Sequence, residues 1–143
     1  MNLINNRYRI IAKLSQDRTK SSYLVSDMIN NHEKIQLNII NSEFASESLI
    51  DLFVSEFITL GTINHANISS VFDFELIHTI DNKKVSNNEY FYTNEYIKNA
   101  VELHELTTNI NENQILDIFM QLCMSVNYLH LRGFIYEELN TNN

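Results

Sequence analysis

The chain has 143 residues, enough for one domain or one and a half small ones. Hydrophobic residues make up 44% of it, which supports a proper core and excludes disorder as a description of the whole. The formal net charge of -8 argues against a nucleic-acid or anionic-membrane partner, because both need basic patches to neutralise phosphate.

Single residues narrow the setting. Cys123 is the only cysteine, so no disulfide can form within the chain; a reducing compartment fits, and the thiol reads as a small hydrophobe on a helix. Met1 to Arg7 lacks the apolar stretch of a signal peptide, and no apolar run approaches the roughly 20 residues that span a bilayer. A soluble cytoplasmic protein is expected. His32, His65, His78, His104 and His130 are scattered without metal-ligand spacing, so no metal is expected. Proline is absent, and glycine occurs only at Gly61 and Gly133. An ordinary phosphate-cradling loop needs several glycines, so that the backbone can approach oxygen closely.

Taken in order, the first half reads as strands, over about residues 8–16, 20–27 and 33–40. Asn30-Asn31-His32 is a turn signal between the last two. The period then changes. Leu49, Leu52, Phe53, Phe57, Leu60 and Ile63 recur at three- and four-residue steps, predicting a helix over about 46–62. Ser46, with Ser48 nearby, can start it, and Gly61 sits near its end. Two more strands are expected at about 69–78 and 89–97, with the polar run Thr79 to Asn88 as the loop between them. Val101 to Leu106 is a short helical candidate. Asn111 to Leu131 is a long one, with Ile115, Ile118, Phe119, Leu122, Val126 and Leu129 as its apolar stripe and Asn111 or Asn113 as its cap.

The residues along this path resemble the first half of a protein kinase domain. Leu14 to Val25 lies over the Gly-rich loop L-G-x-G-x-x-G-x-V-Y-L-V without a gap. Gln36 to Ile40 lies over A-L-K-I-I, and Phe53-Val54-Ser55-Glu56 is similar to the helix that carries the ion-pairing glutamate. Leu60 to Ile68 resembles L-x-x-L-x-H-P-N-I, and Tyr90 to Ile97 resembles the fifth strand and hinge, Y-F-T-M-E-Y-I. Tyr128 to Ile135 matches Y-L-H-x-x-G-x-I, and Tyr136 to Asn143 lies over H-R-D-L-K-P-x-N. These pieces stand in family order and spacing over nearly the whole chain. The resemblance implies an α+β fold. A small lobe over residues 1–97, with a five-stranded antiparallel sheet and one helix, would precede a partial large lobe over 98–143. That part would hold the hinge, a short and a long helix, and the start of the catalytic loop. The D-F-G site and activation segment have no counterpart.

Phosphoryl transfer is mostly positioning and electrostatics, so the residues that hold phosphate and metal are the mechanism. Here they differ from the family. Ser15, Asp17 and Lys20 replace the three loop glycines, and Asp17 would repel phosphate. Asn38 replaces the lysine that would hold the α- and β-phosphates; Lys34, four residues back along the strand, is ~13 Å away and too far to substitute. Ser22 and Gln36 replace the valine and alanine that cover adenine, and Gln36 is expected to project into the base site. Glu95 and Ile97 fall at the hinge of the same degenerate nucleotide site. Glu56 keeps the helix glutamate without its lysine; it reads as a solvated carboxylate, or as a partner of Asn38. In the catalytic loop Glu138 matches the base aspartate with one extra methylene, and Tyr136, Glu137 and Asn140 replace histidine, arginine and lysine. Asn143 keeps the metal-binding asparagine in type, at a position expected to fray.

The resemblance, with these departures, implies a catalytically inactive, pseudokinase-type regulatory or protein-interaction module with no cofactor. Such modules often sit at the N-terminus of large bacterial sensor proteins, so partner proteins or downstream domains are expected. The alternatives are part of a Ser/Thr protein kinase that binds ATP and Mg²⁺ weakly, and a scaffold that forms a homodimer through residues 111–131.

Overall fold

The computed structural model describes residues 2–40, 46–85, 89–101, 103–106 and 110–135. The chain forms two compact units, one of Met1–Thr62 with Ser69–Tyr96 and the other of Ile63–Ile68 with Ile97–Asn143.

The first unit is α+β. Its strands are β1 (Leu3–Ile4), β2 (Tyr8–Gln16), β3 (Lys20–Asp27), β4 (Glu33–Ile40), β5 (Val71–Leu76), β6 (Thr79–Ile80), β7 (Lys83–Lys84) and β8 (Tyr90–Glu95), and its helix is α1 (Glu47–Gly61). The sheet order is β5-β8-β4-β3-β2-β1-β6-β7, and every pairing is antiparallel. Among the described residues, eight strands stand where five were expected. The three extra ones are two residues long, too short for a period to register in the sequence. They exist because two turns reverse the chain sharply. Asn5 and Asn6 both adopt positive φ (48° and 54°), folding Leu3–Ile4 back onto β2, and Asp81 and Asn82 do the same (49° and 63°) between β6 and β7. Asparagine and aspartate tolerate this conformation and stand where glycine is commonest. The stretch expected as a loop, Thr79 to Asn88, therefore begins as a hairpin.

β5 ends one side of the sheet and β6 lies near the other, yet only Ile77 and His78 separate them. The sheet must curl until its two sides approach. Asn5 clasps the join: its Nδ2 donates to the Leu76 carbonyl at 2.8 Å, and its Oδ1 accepts the His78 and Thr79 N–H groups at 2.8 and 3.2 Å. Inside the curl lies a core that includes Tyr8, Val25, Leu37 and Phe91, all fully buried. Tyr8 meets Phe91 edge to face at 5.4 Å and donates its hydroxyl to Asp73 at 2.9 Å. Arg7 grips the buried Asp27 with two hydrogen bonds, at 3.0 and 2.7 Å, and also reaches Asp73 at 3.0 Å. The bond from Arg7 holds Asp27 below the ordinary aspartate range, against the cost of its burial, with the Ile29 and Asn30 amides assisting.

A second core pins α1 to the sheet. Phe53 packs against Tyr92 at 5.0 Å and Phe57 against Phe74 at 5.3 Å. Offset and tilted ring pairs of this kind add to the burial of their area. Leu52, expected on the buried stripe, lies outside it at 64% exposure.

In the second unit α2 is the single turn Leu103–Leu106, and α3 spans Glu112–Leu131. Asn111 caps α3 in a capping box: its side chain accepts the Gln114 N–H, and Gln114 returns a bond to the Asn111 N–H. The helix ends in a Schellman motif. The Gly133 N–H reaches the His130 carbonyl at 2.9 Å and the Phe134 N–H the Leu129 carbonyl at 3.0 Å, with Gly133 at φ +81°. Tyr128 ties the Asn64 segment to α3, accepting the Asn64 N–H at 3.0 Å and facing the His65 ring at 4.9 Å. Of the expected stripe, Ile118, Leu122, Val126 and Leu129 are half-buried, whereas Ile115 and Phe119 are exposed.

Candidate functional site

Of the residues set against the kinase phosphate and adenine machinery, Ser15, Lys20, Ser22, Gln36, Asn38, Glu56 and Glu95 lie on β2, β3, β4, α1 and β8 of the first unit, and Asp17 lies between β2 and β3. Asp17 opens the turn between β2 and β3. Its N–H meets the Lys20 carbonyl at 2.9 Å, closing the turn. Its carboxylate folds back on the same turn: one oxygen accepts the Thr19 N–H at 2.7 Å, the Lys20 N–H at 2.7 Å and the Thr19 hydroxyl at 3.0 Å. The bond from the Lys20 amide, then that from Thr19, holds the Asp17 pKa down. Two amides of a glycine-less loop are thus occupied by the loop's own side chain. Ser15 lies opposite Ser22 across the β2–β3 ladder.

Asn38 is buried on β4, opposite Ser22 of β3 and Tyr92 of β8. Its Oδ1 accepts the Ser22 hydroxyl at 2.6 Å and the Gln36 amide at 3.1 Å, and its Nδ2 donates to Asn94 Oδ1 at 2.7 Å. Asn94 in turn donates to Ser69 Oγ and to the Glu95 carbonyl, both at 3.1 Å. The three positions that depart from the lysine and the adenine cover, Asn38, Ser22 and Gln36, are therefore one hydrogen-bonded group. No buried side-chain nitrogen or oxygen among the described residues is left without a partner. A closed amide network of this kind fixes its members in place, because a half-satisfied one would be costly.

Sequence reasoning missed Asn94. It lies over the methionine of the hinge pattern, a polar residue at an apolar position, which is the signal that singled out Gln36. Its role needed the β4–β8 register, which pairs Gln36 with Asn94.

Glu56 sits on α1, between the anchoring rings of Phe53 and Phe57. It is exposed and makes no hydrogen bond or ion pair among the described residues, so it is not the partner of Asn38. Its charge, after burial, helps raise the Tyr92 phenol well above its ordinary range. A cavity of about 180 Å³ is lined by Asp17, Thr19, Lys20, Ile40, Leu52, Phe53 and Glu56. Its lining residues thus include two acids and one lysine. Glu95 ends β8 with its side chain exposed, its N–H bonded to the Ser70 carbonyl at 2.8 Å. Ile97 belongs to the second unit and is 57% exposed. Tyr136, Glu137, Glu138, Asn140 and Asn143, the catalytic-loop positions, lie outside the described residues.

No helix among the described residues is long and apolar enough to cross a membrane. No protein-family model matches the chain. The chain is 22% identical over 150 residues to the serine/threonine-protein kinase CLA4 of Candida albicans; the match covers 99% of the chain and 14% of that protein. It is 23% identical over 145 residues to a probable serine/threonine-protein kinase of Clostridium acetobutylicum, covering 99% of the chain and 20% of that protein. The chain thus spans a fifth or less of these curated relatives. Along nearly all of its own length it is similar to part of two serine/threonine protein kinases, and its antiparallel sheet with helices is compatible with a kinase small lobe.

Proposed function

We propose that this chain is a kinase-like regulatory or protein-interaction module that does not transfer phosphate. One observation carries the reading: Asn38, at the position of the phosphate-holding lysine, is buried and bonded to Ser22, Gln36 and Asn94. A neutral amide already bonded through both its ends has no charge to offer a nucleotide. The Asp17 carboxylate on the turn amides supports the same reading. Partners would be proteins or further domains of the same polypeptide, and a homodimer through residues 111–131 belongs to this proposal. Calorimetry with ATP and Mg²⁺ tests it. No binding heat is expected; micromolar affinity would overturn the reading.

A second reading rests on a different observation. Lys20 and Glu56 line one cavity, so a lysine still shares a site with the helix glutamate although the β4 lysine is gone. A kinase that binds ATP weakly could hold phosphate from Lys20. If binding heat is seen and Lys20→Ala abolishes it, this reading replaces the first.

A further inference from the structure

The turn between β2 and β3 has a feature that inactivity alone does not require. A lost phosphate site could simply be loose. Here three donors, two amides and a hydroxyl, converge on a single Asp17 oxygen at 2.7 to 3.0 Å. Successive backbone N–H groups aimed at one point are how loops and nests receive an anion. The distances are those of charge-assisted hydrogen bonds.

We propose that the Asp17 carboxylate is a resident anion, which holds the β2–β3 turn closed by taking the Thr19 and Lys20 amides that an incoming phosphate oxygen would need. The inference rests on the reading of the chain as a module that does not handle nucleotide. It adds that the turn keeps one ligand-independent conformation, set from within the chain. Three other features belong to the same arrangement. The Asp17 N–H to Lys20 carbonyl bond closes the hairpin from the opposite side, so the carboxylate is locked between backbone groups rather than swinging from a strand. Thr19 contributes both its N–H and its hydroxyl, so the side chain beside the amide strengthens the cradle. Lys20, the third replaced glycine, gives its amide to the cradle while its positive charge helps hold the carboxylate ionised.

Amide hydrogen exchange, followed residue by residue on the 143-residue chain, tests this. Thr19 and Lys20 are expected to exchange slowly in the wild type, at rates that ATP with Mg²⁺ does not change. Asp17→Gly should speed both roughly ten- to a hundredfold, the range of a hydrogen bond to a charged group, while β3 amides from Ser22 to Val25 keep their rates. Asp17→Asn keeps a neutral acceptor and should fall between. Fast exchange at both amides in the wild type would overturn the proposal, as would wild-type rates in Asp17→Gly. If Asp17→Gly loosens the whole hairpin, Asp17→Asn decides, and wild-type rates in that variant overturn it. Calorimetric ATP binding with these two rates unchanged would remove the inactive-module reading and still support the resident anion. Unprotected amides without ATP binding would do the reverse.

Discussion

The buried Asn38 amide has both a donor and an acceptor to satisfy, and burial makes each costly to leave unmade. Asn38 satisfies its donor through Asn94. Asn94→Leu should therefore destabilise the protein by about 1–3 kcal/mol, the cost of an orphaned buried polar group. The double variant Asn38→Leu/Asn94→Leu should lose less than the sum of the two single changes, because neither partner is left waiting. Urea unfolding of the four proteins reads both numbers. Asp27 gives the second prediction at this scale. Its folded-state pKa lies below the unfolded value of about 4, so its stabilising effect is full above about pH 5 and is lost as pH falls through the folded value. Unfolding free energy should drop on acidification, and Asp27→Asn should flatten that slope; a slope unchanged by the substitution would mean that other carboxylates control it. Asn38, Gln36 and Ser22 were legible in the sequence as departures from a pattern. That they bond to one another was not, because hydrogen bonding across β3, β4 and β8 depends on strand register, and register leaves no mark on any single strand's composition.

α1 was legible from its period, since an apolar residue every three or four positions can bury one face only as a helix. Which of those residues reach the core was less so. Phe53 is 7% exposed and Leu52 is 64% exposed, although adjacent and both apolar. The rings of Tyr92 and Phe74 decide this by taking Phe53 into tilted contacts at 5.0 and 6.1 Å. Phe53→Ala should cost about 3–5 kcal/mol, as for large-to-small changes in a packed core, whereas Leu52→Ala should cost under about 1. Thermal melts of the two variants compare them directly. The cap of α3 was readable only to Asn111 or Asn113; Gln114, three residues after Asn111, completes the capping box that selects the first. β1, β6 and β7 were not, because two residues cannot display an alternation.

At the level of the whole molecule, the long helix carries apolar side chains that the described residues leave uncovered. Ile115, Phe119, Met120 and Met124 are between 51% and 60% exposed. Large contiguous apolar patches are unusual on soluble monomers. The proposed homodimer through residues 111–131 predicts a mass above that of a monomer by light scattering at high micromolar concentration. Phe119→Glu should return it to the monomer mass, and a monomeric wild type counts against the dimer. The order of strands and helices was legible along the chain because each element of ordinary length carries its own period. The closure of the sheet was not. It depends on Asn5 meeting residues more than 70 positions away, a pairing with no local trace.

The turns have a consequence for the unfolded chain. Among the described residues, seven other than glycine hold positive φ, five of them asparagine, in a sequence with two glycines. Each glycine not used is backbone freedom that the denatured ensemble never had, and so never has to surrender on folding. Left-handed backbone costs asparagine some strain in the folded state, and this offsets the gain. The balance is open to a simple comparison at Asn82, where φ is 63°. Asn82→Gly relieves the strain but enlarges the unfolded ensemble, so its melting temperature should stay close to that of the wild type. Asn82→Ala keeps the stiffer chain yet suits the left-handed region less well, and should lower stability by about 1 kcal/mol. A chain of this composition narrows its denatured state and returns the gain as strain in its turns.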